Sequence, residues 1–284
     1  MDIIKVILIP MISLLLSFAL SMLITRLITW KWRKAGTLTK RRRVVIFLLV
    51  LVFLLILTFF LYFNSYSRAG DRALKAMEGS ATVKVESIDQ GYRFDGPGTQ
   101  DAMIYYPGAM VDEKAYAEMM LKLAEQGVDC FLIKMPLHMA FMGREKATGV
   151  LDEYGNQYEH WYMSGHSLGG AIAAMYTAAH KDRLAGGIFM AAYSVEPLPD
   201  SLNIATITAT RDEVMNWDDY HKYQNNLPEN AHEITIEGGN HSQFGDYGLQ
   251  RGDGEATISP EEQLEQVCDT VLSIIRSSGT DASE

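Results

Sequence analysis

The chain has 284 residues, 48% of them apolar and 21% charged, which leaves room for two membrane segments and one domain of ordinary size. Its net charge of −10 is unevenly spread: Met1 to Phe63 carries nine Lys or Arg and one Asp, leaving 16 basic and 34 acidic residues for the remainder. A region so acidic repels phosphate backbones, and no basic stripe interleaved with aromatics offsets the repulsion, so nucleic acid is excluded as a partner.

Ile3 to Ile24 is almost continuously apolar, broken only by Lys5, Pro10 and hydroxyl residues whose donors can bond back to a helix. Val44 to Phe63 is a second uncharged run, closed by Tyr62 and followed by Tyr66. Between them lie Arg26, Lys31, Arg33, Lys34 and Lys40 to Arg43, with Trp30 and Trp32 at headgroup level. The positive-inside rule puts this basic loop in the cytoplasm and everything after Phe63 on the opposite side. Residues 1–63 are therefore expected to be a two-helix anchor in the lipid bilayer, with the rest extracytoplasmic at a cell membrane. The competing reading is a signal peptide cleaved near Ala19-Leu20-Ser21, which would leave the basic loop outside, against the charge rule.

A connector, 64–81, leads to a domain over 82–284. Thr82 to Ile88 and Gly91 to Phe94 alternate as a hairpin about Asp89-Gln90. Ala102 to Tyr106 reads as a strand, and Asp112 caps a helix carrying Tyr116, Met119, Met120, Leu123 and Ala124 at helical spacing, ended by Gln126-Gly127. Strands at Val128 to Met135 and His160 to Met163 follow, with a helix near Arg144 to Tyr154. Next come a small-residue helix over Leu168 to His180, strands at Leu184 to Ala192, Ile204 to Ala209 and His232 to Ile236, and helices near Trp217 to Asn226 and over Pro260 to Arg276. Strands alternating with helices predict an α/β fold, a mostly parallel sheet with helices on both faces.

Gly165-His166-Ser167-Leu168-Gly169 places glycines two residues either side of a serine, between a strand and a small-residue helix; this is the setting of a nucleophile elbow. A serine hydroxyl needs a base and a carboxylate to hold that base in the right tautomer. Asp212, in Thr210-Arg211-Asp212-Glu213, and His241, in Gly238-Gly239-Asn240-His241, each stand just beyond a strand, where such sheets bind ligands. Glu213 and Asp246 are the reserve acids.

With this Ser, Asp, His order the sequence resembles the α/β-hydrolase superfamily. Tyr106-Pro107-Gly108-Ala109, Lys134-Met135-Pro136-Leu137, the elbow through Gly170, and Gly238 to Gly245 make it similar, more narrowly, to the dienelactone-hydrolase-related branch. The resemblance covers roughly Thr82 to Arg276. It implies an oxyanion hole formed by the backbone N–H groups of Leu168 and Ala109, although Pro107 stands where a histidine is common in such loops.

The bland alternatives are a structural serine in a tight turn for Ser167, a cap or turn residue for Asp212, and a loop histidine bonded to backbone for His241. His166 is expected to point away from the reacting centre and serve packing. Met135, Met139 and Met142 are expected to fill core rather than line an acyl pocket. Cys130 and Cys268 read as buried free thiols, with one bridge between them as the alternative. No metal ligand set and no cofactor motif is present, and none is needed.

Only about ten residues separate the strand ending near Tyr193 from that starting near Ile204, too few for a helical cap, so the site should be open. The expected activity is cleavage of carboxylic ester or lactone bonds in small or acylated substrates through an acyl-enzyme. The rivals are a non-catalytic binding module on the same fold and an acyltransferase, in which an alcohol replaces water.

Overall fold

From Met11 to Lys34 no glycine or proline interrupts the backbone ladder, and helix α1 runs over Ile3–Lys34, with α2 over Lys40–Phe63. The computed structural model describes residues 3–34, 36 and 39–280 and divides the chain into the units Met1–Ser65 and Tyr66–Glu284. The outer ends of the two expected domains, 1–2 and 281–284, lie outside the described residues. In the first unit, Ile12–Trp30 and Lys40–Phe63 are long and apolar enough to cross a membrane, with mean hydropathies of 1.9 and 3.5.

The apolar run was expected to stop at Ile24, but α1 continues to Lys34, so Arg26, Lys31, Arg33 and Lys34 are helical rather than in a loop. Charge interrupts hydropathy without interrupting the ladder, because Lys and Arg are good helix formers. Thr39 caps α2 by accepting the Arg42 N–H at 3.3 Å, which makes Lys40 to Arg43 its first turn. Among the described side chains of α1 the buried ones are Ser17, Ser21, Thr25 and Thr29, four apart, a small hydroxyl stripe of the kind that lets apolar helices approach closely.

The second unit holds one eight-stranded sheet, ordered β1-β2-β4-β3-β5-β6-β7-β8. Its strands are β1 Lys84–Ile88, β2 Gly91–Asp95, β3 Asp101–Tyr106, β4 Val128–Ile133, β5 His160–His166, β6 Gly186–Met190, β7 Asn203–Ala209 and β8 His232–Ile236. The β1-β2 hairpin is antiparallel and joins β4 antiparallel; every other pairing is parallel. The α/β expectation therefore holds.

Alternate side chains of each inner strand enter opposite cores. On β3, Met103 and Tyr105 join one layer while Ala102, Ile104 and Tyr106 join the other; on β4, Cys130 and Leu132 oppose Phe131 and Ile133. The first layer is covered by α4, Ala117–Glu125, and α8, Pro260–Thr280. The second is covered by α5, Lys146–Tyr154, and α6, Leu168–Ala179. On α4 the fully or nearly buried Met119, Met120 and Leu123 fall at helical spacing. Each contributes about 2 kcal/mol by leaving water. Gly127, at φ +96°, ends the helix where an L side chain would be strained.

Two details depart from expectation. The connector contains a helix, α3, Asp71–Ala76, too short to show a period in sequence. It is fixed from a distance by Asp246, whose carboxylate accepts the Ala73 N–H at 3.0 Å and whose carbonyl accepts the Gly70 N–H at 2.7 Å. The second departure is that the helix expected from Asp112 begins as a 3-10 turn, Glu113–Tyr116, with Asp112 capping Lys114 at 3.1 Å. The helix expected near Trp217 is α7, Trp217–Tyr223. Cys130 and Cys268 are both buried and free.

Candidate active site

Strand β5 ends in the elbow, and Ser167 adopts φ 54° and ψ −125°, a left-handed conformation that is costly for any residue but glycine. Its surroundings hold it there. The Ser167 N–H donates to the Met190 carbonyl at 2.9 Å, and the Ser167 carbonyl accepts the Ala171 N–H at 3.0 Å as α6 begins. A side chain at Gly169 would collide with the carbonyls of Pro107 and Tyr106, and one at Gly165 would lie 2.7 Å from the Tyr106 carbonyl. The spacing read from sequence thus has a cause: the loop after β3 passes directly against the elbow.

Asp212 follows β7 and is 3% exposed. Its Oδ1 accepts the N–H groups of Val214 and Met215, both at 2.8 Å, while its Oδ2 lies 2.7 Å from Nδ1 of His241. The Trp217 indole N–H closes the turn on the Asp212 carbonyl at 2.8 Å. With one oxygen fixed by two amides, the other is aimed at the imidazole. Glu213 and Asp246 do not take this place: Nδ1 of His241 is held by Asp212, Glu213 is exposed, and Asp246 caps α3 and faces Arg72.

His241 follows β8 and is 1% exposed. Asn240 before it is locked on three sides: its N–H donates to Gln263 Oε1 at 2.9 Å, its carbonyl accepts from Gln263 Nε2 at 2.9 Å, and its amide donates to the Gly254 carbonyl at 2.8 Å. Arg211 and Gly239, joined at 2.9 Å, tie the Asp212 and His241 loops together. The structure therefore brings Asp212 and His241 into contact. Nε2 of His241 is buried and, among the described residues, has no hydrogen-bond partner, Ser167 included. Ser167 is half-buried and adjoins His166, whose ring lies 4.4 Å from that of His241.

Two residues organise the site beyond what was read in sequence, Asp253, given no role there, and His166, expected only to pack. Asp253 accepts the Ser242 N–H at 2.8 Å and its hydroxyl at 2.6 Å on Oδ2, and the Gly254 N–H at 2.9 Å on Oδ1. The Glu213 and His241 amides approach the same Oδ1 at 3.4 Å, so one carboxylate braces both loops. His166 is the other: it is 1% exposed, and its Nδ1 lies 2.8 Å from the Tyr116 hydroxyl. Burial, then the charge of His241, lowers its pKa well below the ordinary histidine value. Nothing local marks Asp253, whose partners are remote in sequence; His166 was expected only to serve packing, and its bond to the distant Tyr116 is not visible in the elbow pattern.

The loop after β3 carries Ala109. Met110 beside it has φ 56°, and its N–H donates to the His138 carbonyl at 2.8 Å. Among the described residues the N–H groups of Ala109 and Leu168 have no backbone acceptor. The latter opens the twelve-residue α6, where the helix dipole favours negative charge. Of the methionines, Met135 is buried as expected, whereas Met142 is exposed. Ala191 to Leu202, between β6 and β7, carries no helix.

A family model described as alpha/beta hydrolase family matches residues 102–265. Among solved structures, Est1E from Butyrivibrio proteoclasticus superposes with a TM-score of 0.50 at 15% identity, covering 69% of this chain and 100% of its own. The mouse alpha/beta hydrolase domain-containing protein 10 gives a TM-score of 0.52 at 10% identity, covering 69% and 99%. No curated protein matches the sequence. At these identities the likeness to solved structures is one of fold.

Proposed function

Because the chain belongs to the alpha/beta hydrolase family, whose model spans more than half of it, we propose that it is a membrane-anchored serine hydrolase acting on carboxylic esters or lactones. Ser167 is the nucleophile, His241 the base, Asp212 the orienting acid, and the N–H groups of Leu168 and Ala109 the oxyanion donors. The observation that carries the reading is the 2.7 Å contact of Asp212 with Nδ1 of His241, which leaves Nε2 buried and unpartnered, while Ser167, in strained left-handed backbone, follows His166, whose ring packs on that of His241.

In this reading, Oγ of Ser167 attacks the carbonyl carbon as Nε2 of His241 takes its proton. The oxyanion forms between the amides of Leu168 and Ala109, which have no backbone acceptor among the described residues, each worth about 3 kcal/mol of barrier. Collapse expels the alcohol, which leaves with the proton from His241. Water, activated by the same imidazole, then releases the acid and restores the serine.

The substrate class follows from the rim. Leu137, Phe141, Met142, Val195 and Leu249 are large, apolar and exposed, and all stand on segments beyond the C-terminal ends of β4, β6 and β8, the edge that carries the triad. Apolar surface concentrated at one edge suits an ester with a hydrocarbon acyl part. The two apolar helices support anchoring in a bilayer, with the basic segment between them in the cytoplasm and the hydrolase unit outside. The narrower likeness to the dienelactone-hydrolase-related branch rests on the motifs at Tyr106 to Ala109 and Gly238 to Gly245.

The test is fluorophosphonate labelling of the detergent-solubilised full chain, with mass spectrometry to locate the adduct and Ser167→Ala as control. A single adduct on Ser167, with turnover of acyl esters, supports the proposal. A folded protein without an adduct points instead to a binding module on this fold.

A further inference from the structure

Three buried groups are unused by the chemistry above: the imidazole of His166, the hydroxyl of Tyr116 and the N–H of Gly108. They are bonded in series, Gly108 N to Tyr116 Oη at 3.1 Å and Tyr116 Oη to His166 Nδ1 at 2.8 Å. An amide can only donate, so the phenolic oxygen accepts from Gly108 and its own proton is left for His166. The opposite polarity, with Nδ1–H donating, would strand both the buried hydroxyl proton and the Nε2 lone pair, whereas this one leaves a single group, Nε2–H, without a partner among the described residues. His166 is therefore a neutral imidazole with its lone pair on Nδ1 and its proton on Nε2. Burial supports this polarity from both ends, since it lowers the His166 pKa and raises that of Tyr116.

The series lies against both halves of the site. A side chain at Gly108 would lie 2.9 Å from the Tyr116 hydroxyl and 3.1 Å from His166 Nδ1, so the loop fits only as glycine there. On the other side of the imidazole stand His241, at 4.4 Å between ring centroids, and Phe244, at 5.3 Å. Within the loop, the Gly108 N–H is taken by Tyr116 and the Met110 N–H by the His138 carbonyl, while the Ala109 N–H between them has no backbone acceptor among the described residues.

Resting on the serine-hydrolase reading, we infer that Tyr116 and His166 are positioning residues: they turn the Gly108 N–H inward and so present the Ala109 N–H to the carbonyl oxygen of the substrate. Anchoring the amides on both sides fixes the plane of the one between them. The same neutral ring buttresses His241 without adding a positive charge to oppose its proton uptake.

The experiment compares Tyr116→Phe, His166→Leu and His166→Asn in the full chain, the last because the asparagine amide oxygen can accept where Nδ1 does. A short p-nitrophenyl ester reports kcat and KM, and an alkyl trifluoromethyl ketone reports affinity for the oxyanion-like adduct. Tyr116→Phe and His166→Leu should each lower kcat about tenfold with KM nearly unchanged, and should weaken the ketone in the same ratio. His166→Asn should recover most of the loss, and the shape of the pH–rate profile should not change in Tyr116→Phe. If the first two variants keep kcat and ketone affinity within about twofold of wild type, or if His166→Asn fails as badly as His166→Leu while melting like wild type, the inference falls.

Nitrogen NMR of histidine-labelled protein tests the bonding independently of turnover. A neutral Nε2–H tautomer at His166, altered in Tyr116→Phe, supports the series; an Nδ1–H or charged ring overturns it. Absence of turnover and labelling in the wild type would instead overturn the hydrolase reading, and with it the role assigned to the series.

Discussion

Asp212 meets His241 through a single carboxylate oxygen at 2.7 Å, with both side chains shut away from solvent. Because the other oxygen is held by two backbone amides, the pair has one geometry available. Asp212→Asn would present an amide in place of an acceptor and favour the wrong imidazole tautomer. We expect kcat to fall on the order of 10³- to 10⁴-fold with KM little changed, measured by steady-state ester hydrolysis. Glu213 and Asp246 should not rescue it, since Glu213 is exposed and the Asp246 carboxylate is committed to α3.

Asp253 should act on both stability and rate. Removing its carboxylate in Asp253→Ala strands the Ser242 amide and hydroxyl and the Gly254 amide, at a cost of about 2 to 4 kcal/mol in urea unfolding. Since the same oxygens brace the loops of Asp212 and His241, kcat should drop along with stability. Asp253→Asn, which keeps one acceptor, should fall between the two. A variant that is destabilised yet retains full kcat would show that the brace serves folding alone.

Gly169 should not tolerate alanine. Its new methyl group would meet the carbonyls of Pro107 and Tyr106, backbone atoms that cannot rotate aside. The expected loss is about 3 kcal/mol or more, in the range of severe single substitutions. Gly155 has nothing within 4 Å of an added Cβ and no positive φ, so Gly155→Ala should stay within about 0.5 kcal/mol in the same denaturation series.

His166 predicts an acid limb in stability. Burial lowers its folded pKa, so below the ordinary histidine value the unfolded chain binds a proton that the native state refuses. Stability therefore rises with pH up to about 6.5 and is flat in this contribution above it. The melting temperature should fall from about pH 7 to about pH 5, and His166→Asn should flatten that fall. The comparison isolates His166 from Asp212, Asp253 and the other groups around it, which remain in both proteins.

The layers of the fold were legible because burial on both faces leaves a trace in the inner strands: β4 is buried throughout and apolar but for Asp129, and even the more exposed β8 was read to its exact ends. Ser167, Asp212 and His241 could be chosen because each stands beside a strand end with a recognisable turn. Asp253 and the Tyr116–His166 bond were not legible, since their meaning depends on which loops the sheet order brings together, and nothing local distinguishes Asp253 from a solvated acid. Helix α3 was missed for the same reason: its cap, Asp246, is remote in sequence. The basic segment was taken for a loop because hydropathy registers where charge begins, not where a helix ends.

The parallel bridge between Ser67 and Val111 has a mechanical consequence. The Ser67 N–H donates to the Met110 carbonyl and its own carbonyl accepts the Asp112 N–H, both at 2.8 Å, while Tyr66 stacks on His138 at 3.7 Å. Tension entering the polypeptide at Tyr66 is thus borne first by the loop that carries Ala109, before any of it reaches the sheet. Trimming the protein from its amino end has the same address: a cut ahead of Tyr66 leaves that loop clasped, whereas a cut at Gly70 unclasps it while leaving every strand intact.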